Sequence, residues 1–321
     1  MQLVLLALFS LKALAWEEHF LITLSALQDL PAMKKGATYE PFESSLKKSK
    51  IAFATENKIH KTWAFPSRMG EKTGSKHSVL AVISTYSDEP DWGVDQNLFE
   101  TEQYPELWGP DTKYCSGKSG LKSQAFRHVF FPGKFDWLHP IATFQIPMRP
   151  LGEGPDRAAL YFGIAKQLLA AGKTYWGARF LGWSLHYLQD LYNPYHSSQT
   201  PSKRMIRTKW DSLLPSIDID ATAEQLGYYH FSYETWVRTR MHDPQSPLLE
   251  ALKSNESNTS ATQLSDWIRD HVVPLSSREA SRVASACLKA FAPWDPSPEQ
   301  QSEHYVGTKQ WEQGFNASAL E

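Results

Sequence analysis

Residues 156–196, "DRAALYFGIAKQLLAAGKTYWGARFLGWSLHYLQDLYNPYH", decide the fold. Apolar side chains recur at helical spacing on both sides of Gly172, which marks a stop, and Asp156 stands where a cap belongs. Pro194 ends the second run. The pattern predicts two long helices in series. On the second, His186 and Asp190 lie one turn apart on the same face. Beyond Pro194 the chain turns His196 back towards them.

Working outward, helical signals dominate. "WEEHFLITLSALQDL", "TAEQLGYYHFSYETWVRTR", "QLSDWIRDHV" and "SSREASRVASACLKAFA" all carry the helical period, the last with Ser at its head. "SVLAVIST" (78–85) is β-branched enough for a strand, but lacks a second strand of similar strength and reads as a buried helix. Residues 89–154 alternate Pro, Gly, Asp and aromatics without period and read as a long irregular excursion, of the kind usually tied to function. With no Ser/Gly-rich linker, the expectation is a mainly α protein: one multi-helical domain over 16–321 with long irregular loops.

The chain has 321 residues, 41% hydrophobic and 21% charged, with a formal net charge of −2. No basic field points to nucleic acid. Residues 2–10 form an apolar segment, and Ala13-Leu14-Ala15 is a small-residue cleavage signal, so residues 1–15 read as a signal peptide of a secreted or periplasmic protein. Cleavage after Ala15 exposes Trp16. Cys115 and Cys287 are the only cysteines; export permits one disulfide, but the sequence does not show the pairing. Asn255, Asn258 and Asn316 begin N-x-S/T triplets, which matter only in a glycosylating host.

The chemistry-bearing side chains are His186, Asp190 and His196, followed by a second i,i+4 pair, His230 and Glu234, in "HFSYE". Imidazole and carboxylate together suit zinc. Taken singly, a His-x3-Glu pair on a helix is commonly structural; the denser His-x3-Asp-x5-His run is the stronger signal. "GEGPDRA" lacks the third glycine and preceding strand of a dinucleotide loop, and neither a G-x-S-x-G elbow nor a P-loop is present.

The text around that run, "ALYFGIAKQLLAAGKTYWGARFLGWSLHYLQDLYNPYH", resembles the core of the zinc-dependent phospholipase C and S1/P1 nuclease superfamily, closer to the bacterial phospholipase C branch. The resemblance is densest across 158–196 and 228–236. It implies a mostly helical fold with three zinc ions in one cleft. It also implies a mature N-terminal tryptophan that chelates through its free α-amine and carbonyl, the place Trp16 takes. His19 in "WEEHFLITL" fits the family's early histidine. "STYSDEPD" offers Asp88 for its aspartate, with Asp91 as substitute, and "AFRHVFFP" supplies His128. The implied division puts Asp88, His128, His186 and Asp190 around one zinc and Trp16 and His19 on a second, with Asp190 bridging. His196, His230 and Glu234 take the third. His60, His77, His139, His242, His271 and His304 fit no family motif and read as structural or exposed.

Three divalent ions suit a phosphodiester because they neutralise non-bridging oxygens that gain charge in the transition state, and they acidify bound water. The resemblance therefore implies a zinc phosphodiesterase, with Asp88 orienting the water or accepting its proton. Glycerophospholipid, met as a head group at a membrane surface by a monomeric peripheral enzyme, is the favoured substrate. Single-stranded nucleic acid is the alternative, and a zinc-stabilised binding protein without activity is the third class.

Overall fold

The computed structural model describes residues 18–49, 65–95, 127–132, 134–138, 143–147, 150, 152–198, 203–210, 216–253, 263–291 and 293–294. Residues 1–15, Trp16 and Cys115 lie outside them, as do His60, His139 and His304. The described residues are mainly helical, with three two-stranded antiparallel pairs.

The centre is the expected helix pair, α4 (Gly154–Ala170) and α5 (Thr174–Tyr192), packed side by side. Gly172 sits between them at φ 73°, a left-handed residue that ends α4. Asp156 is not the cap expected of it. Glu153 holds that position and Pro155 enters the first turn, where a missing N–H costs nothing. Asp156 instead pairs with Arg269.

Ahead of this pair lie α1 (His19–Leu27), strand β1 (Gly36–Thr38), α2 (Phe42–Ser49), strand β2 (Lys76–Ser78) and α3 (Val79–Tyr86). β1 and β2 pair antiparallel, with Ala37 opposite His77. The 78–85 stretch is a helix, as its reading predicts: the Ser78 hydroxyl accepts from the Ala81 N–H at 3.1 Å and caps it. α3 crosses α5 at Gly182, where a Cβ would lie 2.6 Å from the Ile83 carbonyl oxygen. Val82, Ile83 and Tyr86 of α3 join Tyr161, Trp176, Phe180, Trp183 and Tyr187 in one buried aromatic core.

The irregular excursion carries more structure than its composition predicts. Glu89–Trp92 is a 3-10 turn, and β3 (Lys134–Leu138) pairs antiparallel with β4 (Thr143–Pro147). A four-residue turn of helix, α6 (Pro194–Ser197), follows α5. The short pair β5 (Thr208–Lys209) and β6 (Ser216–Ile217) leads into α7 (Ile219–Met241), which is capped by the Asp218 carboxylate accepting from the Ala221 N–H at 3.1 Å. α8 (Pro247–Lys253) packs against α1.

The last two predicted helices form one continuous rod: α9 (Leu264–Trp267), a π-turn (Ile268–Val272) and α10 (Val273–Ala290). Ser276, expected near the head of a separate helix, lies within the rod. The wider turn just before Pro274 accommodates a residue that has no N–H to give the ladder. Cys287 of α10 is a buried free thiol. Among the described residues, no helix is long and apolar enough to cross a membrane.

Candidate metal centre

Six segments bring the candidate ligands together, among them α6 with His196 and α7 with His230 and Glu234. α1 supplies His19, the turn after α3 supplies Asp91, and α5 supplies His186 and Asp190. His128 enters from the 127–132 segment, which is fixed on both sides: Phe130 N–H donates to the His196 carbonyl at 2.9 Å and Gly154 N–H to the Val129 carbonyl at 3.2 Å. The turn bearing Asp91 is tied to α5 by a buried ion pair. Arg179 Nε donates to Glu89 at 2.9 Å, and Trp183 Nε1 donates to the same carboxylate at 2.8 Å. Asn193, at the joint of α5 and α6, accepts from the Tyr195 N–H at 3.0 Å and caps the turn that carries His196.

Asp190 lies at the middle. Its two oxygens stand 2.8 Å from His128 Nδ1, 3.2 Å from His186 Nε2, 3.3 Å from His196 Nδ1 and 3.5 Å from His19 Nε2. Around it three donor groups form: His19, His186 and Asp190; Asp91, His128 and His186; and His196, His230 and Glu234. In each group the donor atoms lie within 4.8 Å of one another. In the third, His196 Nε2 is 3.1 Å from His230 Nε2 and 3.6 Å from Glu234 Oε1. Ligands about 2.0–2.1 Å from a tetrahedral zinc are separated by about 3.4 Å, so these spacings match a shared ion.

The outer hydrogen bonds point the same way. His186 Nδ1 donates to the Ser87 carbonyl at 2.7 Å, and His19 Nδ1 lies 2.7 Å from Gln189 Oε1. Gln189 is itself oriented by its Nε2 on Thr23 Oγ1 at 2.8 Å. Both rings thereby present Nε2 to the acids, the arrangement that outer partners give metal-binding histidines. His19 Nε2 and Asp190 Oδ1 are buried and make no hydrogen bond. Orphaned polar atoms of this kind are costly in a protein interior, and a cation between them satisfies both. The residues present therefore fit zinc.

Crowding splits the charges. Burial disfavours ionised Asp190, yet His186, His128 and His196 hold it well below the usual carboxylate range. Asp91 is pushed well above that range, first by burial and then by the charge of Asp190. Burial and the neighbouring His19 drive His186 down to about 3, a neutral ring with an available lone pair. His196 goes the other way, up to about 10, because Asp190 and Glu234 outweigh its burial. Glu234 is held low, the charges of His230 and His196 exceeding the cost of burial.

Of the nine ligands expected from sequence, the structure brings seven together: His19, His128, His186, Asp190, His196, His230 and Glu234. Trp16 lies outside the described residues. Asp88 belongs to none of the three groups; its Oδ1 accepts from the Phe20 N–H at 3.0 Å. The 3-10 turn that follows it swings its substitute, Asp91, into the group with His128 and His186. His77 is half-buried on β2, His242 is exposed beside Glu18, and exposed His271 stacks on Trp267. Three supporting residues escaped the sequence reading: Gln189, Asn193 and Glu89. The Asn-Pro pair at 193–194 was a cap signal that could have found one of them.

Asn193 also donates from Nδ2 to Glu234 Oε1 at 2.9 Å. Asn193→Ala is expected to cost roughly 1–3 kcal/mol, from the lost cap and one lost hydrogen bond to the buried Glu234 carboxylate. It is also expected to weaken metal at the third group by about 10- to 100-fold. Thermal unfolding and zinc titration check both effects; unchanged zinc affinity would leave Asn193 as a cap alone.

No family model, curated protein or solved structure matches the chain.

Proposed function

We propose that the protein is a secreted zinc-dependent phosphodiesterase of the phospholipase C type, acting on glycerophospholipids. One observation carries the reading: three buried His/carboxylate groups converge on a single aspartate, Asp190. Asp91, His128 and His186 would hold one ion. Trp16, His19 and Asp190 would hold the second, and His196, His230 and Glu234 the third. Zinc bound there supplies Lewis-acid charge for the phosphoryl oxygens and acidifies an attacking water.

The chain's own residues do the rest. Asp190 fixes the spacing of the three groups by facing four histidines. Ser87 and Gln189 hold His186 and His19 in the orientation that directs Nε2 inward. Asp88, engaged on one oxygen by Phe20, is the candidate to orient that water or take its proton. Its carboxyl is raised by burial, which outweighs nearby His19. A half-buried proton acceptor with a raised value is suited to work nearer neutrality.

Lipid is favoured over nucleic acid by the closeness of "FLGWSLHYLQD" and "HFSYE" to the phospholipase C branch and by the net charge of −2. The test is metal analysis of purified mature protein together with hydrolysis of phosphatidylcholine against single-stranded DNA. The expected result is bound zinc and lipid hydrolysis, abolished by chelator and restored by zinc. Full activity in excess chelator overturns the metal chemistry; hydrolysis of DNA alone transfers the site to the nuclease reading.

Maturation supplies a separate prediction. An amide nitrogen is a poor ligand, so Trp16 can chelate through nitrogen only after the preceding bond is cut. Protein retaining residues 1–15, or carrying one extra residue before Trp16, is expected to lose one zinc and most of its activity. Trp16→Ala with correct cleavage keeps the amine and carbonyl and should lose less. Zinc content of the three forms, each N-terminus confirmed by mass, decides; equal zinc in extended and mature protein removes Trp16 from the site.

A further inference from the structure

Among the described residues, the region between α6 and α7 supplies no atom to the donor groups, yet it is firmly tied to the fold. Asp190 and Asp211 enclose twenty residues without an acid, and these include Lys203, Arg204, Arg207 and Lys209. In a chain of net charge −2 that is a local concentration of positive charge. Within it Trp210, just after β5, is 73% exposed, more than any other large hydrophobic side chain among the described residues. Trp92 and Tyr192 come next at 47%. An isolated exposed aromatic is ordinary; one beside a basic run, on a firmly anchored hairpin, is not.

The anchoring is explicit. Arg207 N–H donates to Thr222 Oγ1 at 2.9 Å, and Asp218 N–H donates to the Arg207 carbonyl at 2.9 Å, which ties the hairpin to the first turn of α7. Met205 is fully buried in a cluster with Tyr195, Leu226 and Tyr229. Tyr195 in turn stacks on His230, ring centroids 5.3 Å apart. Within the three donor groups His230 is the most open, its side chain 15% exposed where Asp91 shows 8% and Glu234 4%. The hairpin root and the open flank of the donor groups are thus joined through one aromatic ring.

From this we infer that the 203–210 segment is a membrane-docking element, with Trp210 as an interfacial anchor and the basic run drawn to phospholipid phosphates. Tryptophan is the side chain best suited to the headgroup layer, apolar in body with one N–H to leave in water. Cations beside it add attraction to an anionic surface. The element would hold the third donor group close to the bilayer face, where glycerophospholipid phosphates are presented. This inference rests on the phosphodiesterase reading for its purpose, not for its test.

The test uses the full mature, zinc-loaded chain and two variants, Trp210→Ala and Trp210→Asp. Vesicles of phosphatidylcholine mixed with phosphatidylglycerol report binding by flotation. A short-chain phosphatidylcholine, dispersed as monomers, reports hydrolysis without a surface. The expected result is vesicle binding weakened by about tenfold or more, the effect of withdrawing one large apolar side chain from an interface, with monomer hydrolysis unchanged. Vesicle binding that is the same in wild type and Trp210→Asp overturns the docking element, as does Trp210-dependent binding of single-stranded DNA in place of vesicles. Trp210-dependent vesicle binding by a protein that hydrolyses neither substrate upholds the docking element and removes the enzyme reading.

Discussion

Asp190→Asn is expected to abolish the proposed activity and to weaken metal binding at the donor group of His19, His186 and Asp190. The substitution keeps the volume and removes the charge that faces His19, His128, His186 and His196 within 3.5 Å. Disturbing a ligand's outer partner costs about 10- to 100-fold in metal affinity, and losing the charge of a ligand itself would cost more, so the fall should exceed about 100-fold. Helicity should survive, because α5 is held by the aromatic core on its other side. Zinc stoichiometry, turnover and circular dichroism measured together check the expectation. A folded Asp190→Asn protein with full zinc and full turnover would falsify the shared-aspartate site.

Gly182→Ala should damage the crossing of α3 and α5. In an exposed helix the exchange would favour folding by about 1 kcal/mol. Here the new Cβ would sit 2.6 Å from the Ile83 carbonyl oxygen and 3.3 Å from the Ser87 nitrogen. Both are backbone atoms and cannot swing aside. Overpacking of this kind costs about 1–3 kcal/mol and more where backbone must move, so the clash wins and a net loss of about 2 kcal/mol is expected. The damage also reaches the site, since the Ser87 carbonyl orients His186. Gly163→Ala on α4 is the control, because nothing lies within 4 Å of its added carbon. It should be neutral or mildly stabilising. Denaturant midpoints of the two variants settle the comparison; equal midpoints would mean that α3 and α5 are not held at this crossing.

Much of this site is legible in the sequence because its densest part is local. His186, Asp190 and His196 fall within eleven residues, and one helix plus one proline places them together. The choice between Asp88 and Asp91 is different in kind. Both occur in "STYSDEPD", and only the 3-10 turn, tied through Glu89 to Arg179, decides which carboxylate faces inward. That tie spans ninety positions and leaves no local pattern. The hairpin at 134–147 was more accessible: "KFDWL" and "TFQIP" alternate polar and apolar residues, the strand period, but the surrounding Pro and Gly obscured it. The 264–290 rod was hidden by Pro274, which reads as a boundary and is instead accommodated by a π-turn.

That π-turn does more than admit a proline. It holds one more residue per turn than the helix around it, and so sets the angular phase of everything downstream. In that phase the Ser276 hydroxyl donates to the Tyr192 carbonyl at 3.1 Å and the Ser277 hydroxyl to the Ser197 carbonyl at 2.6 Å. These are the last carbonyls of α5 and of α6, so two consecutive serines clasp both ends of the bend that aims His196. Each residue of an α-helix advances the face by about 100°. The placement of His196 is therefore supported by a residue count in a helix eighty positions further along the chain, a matter of length rather than of any one side chain.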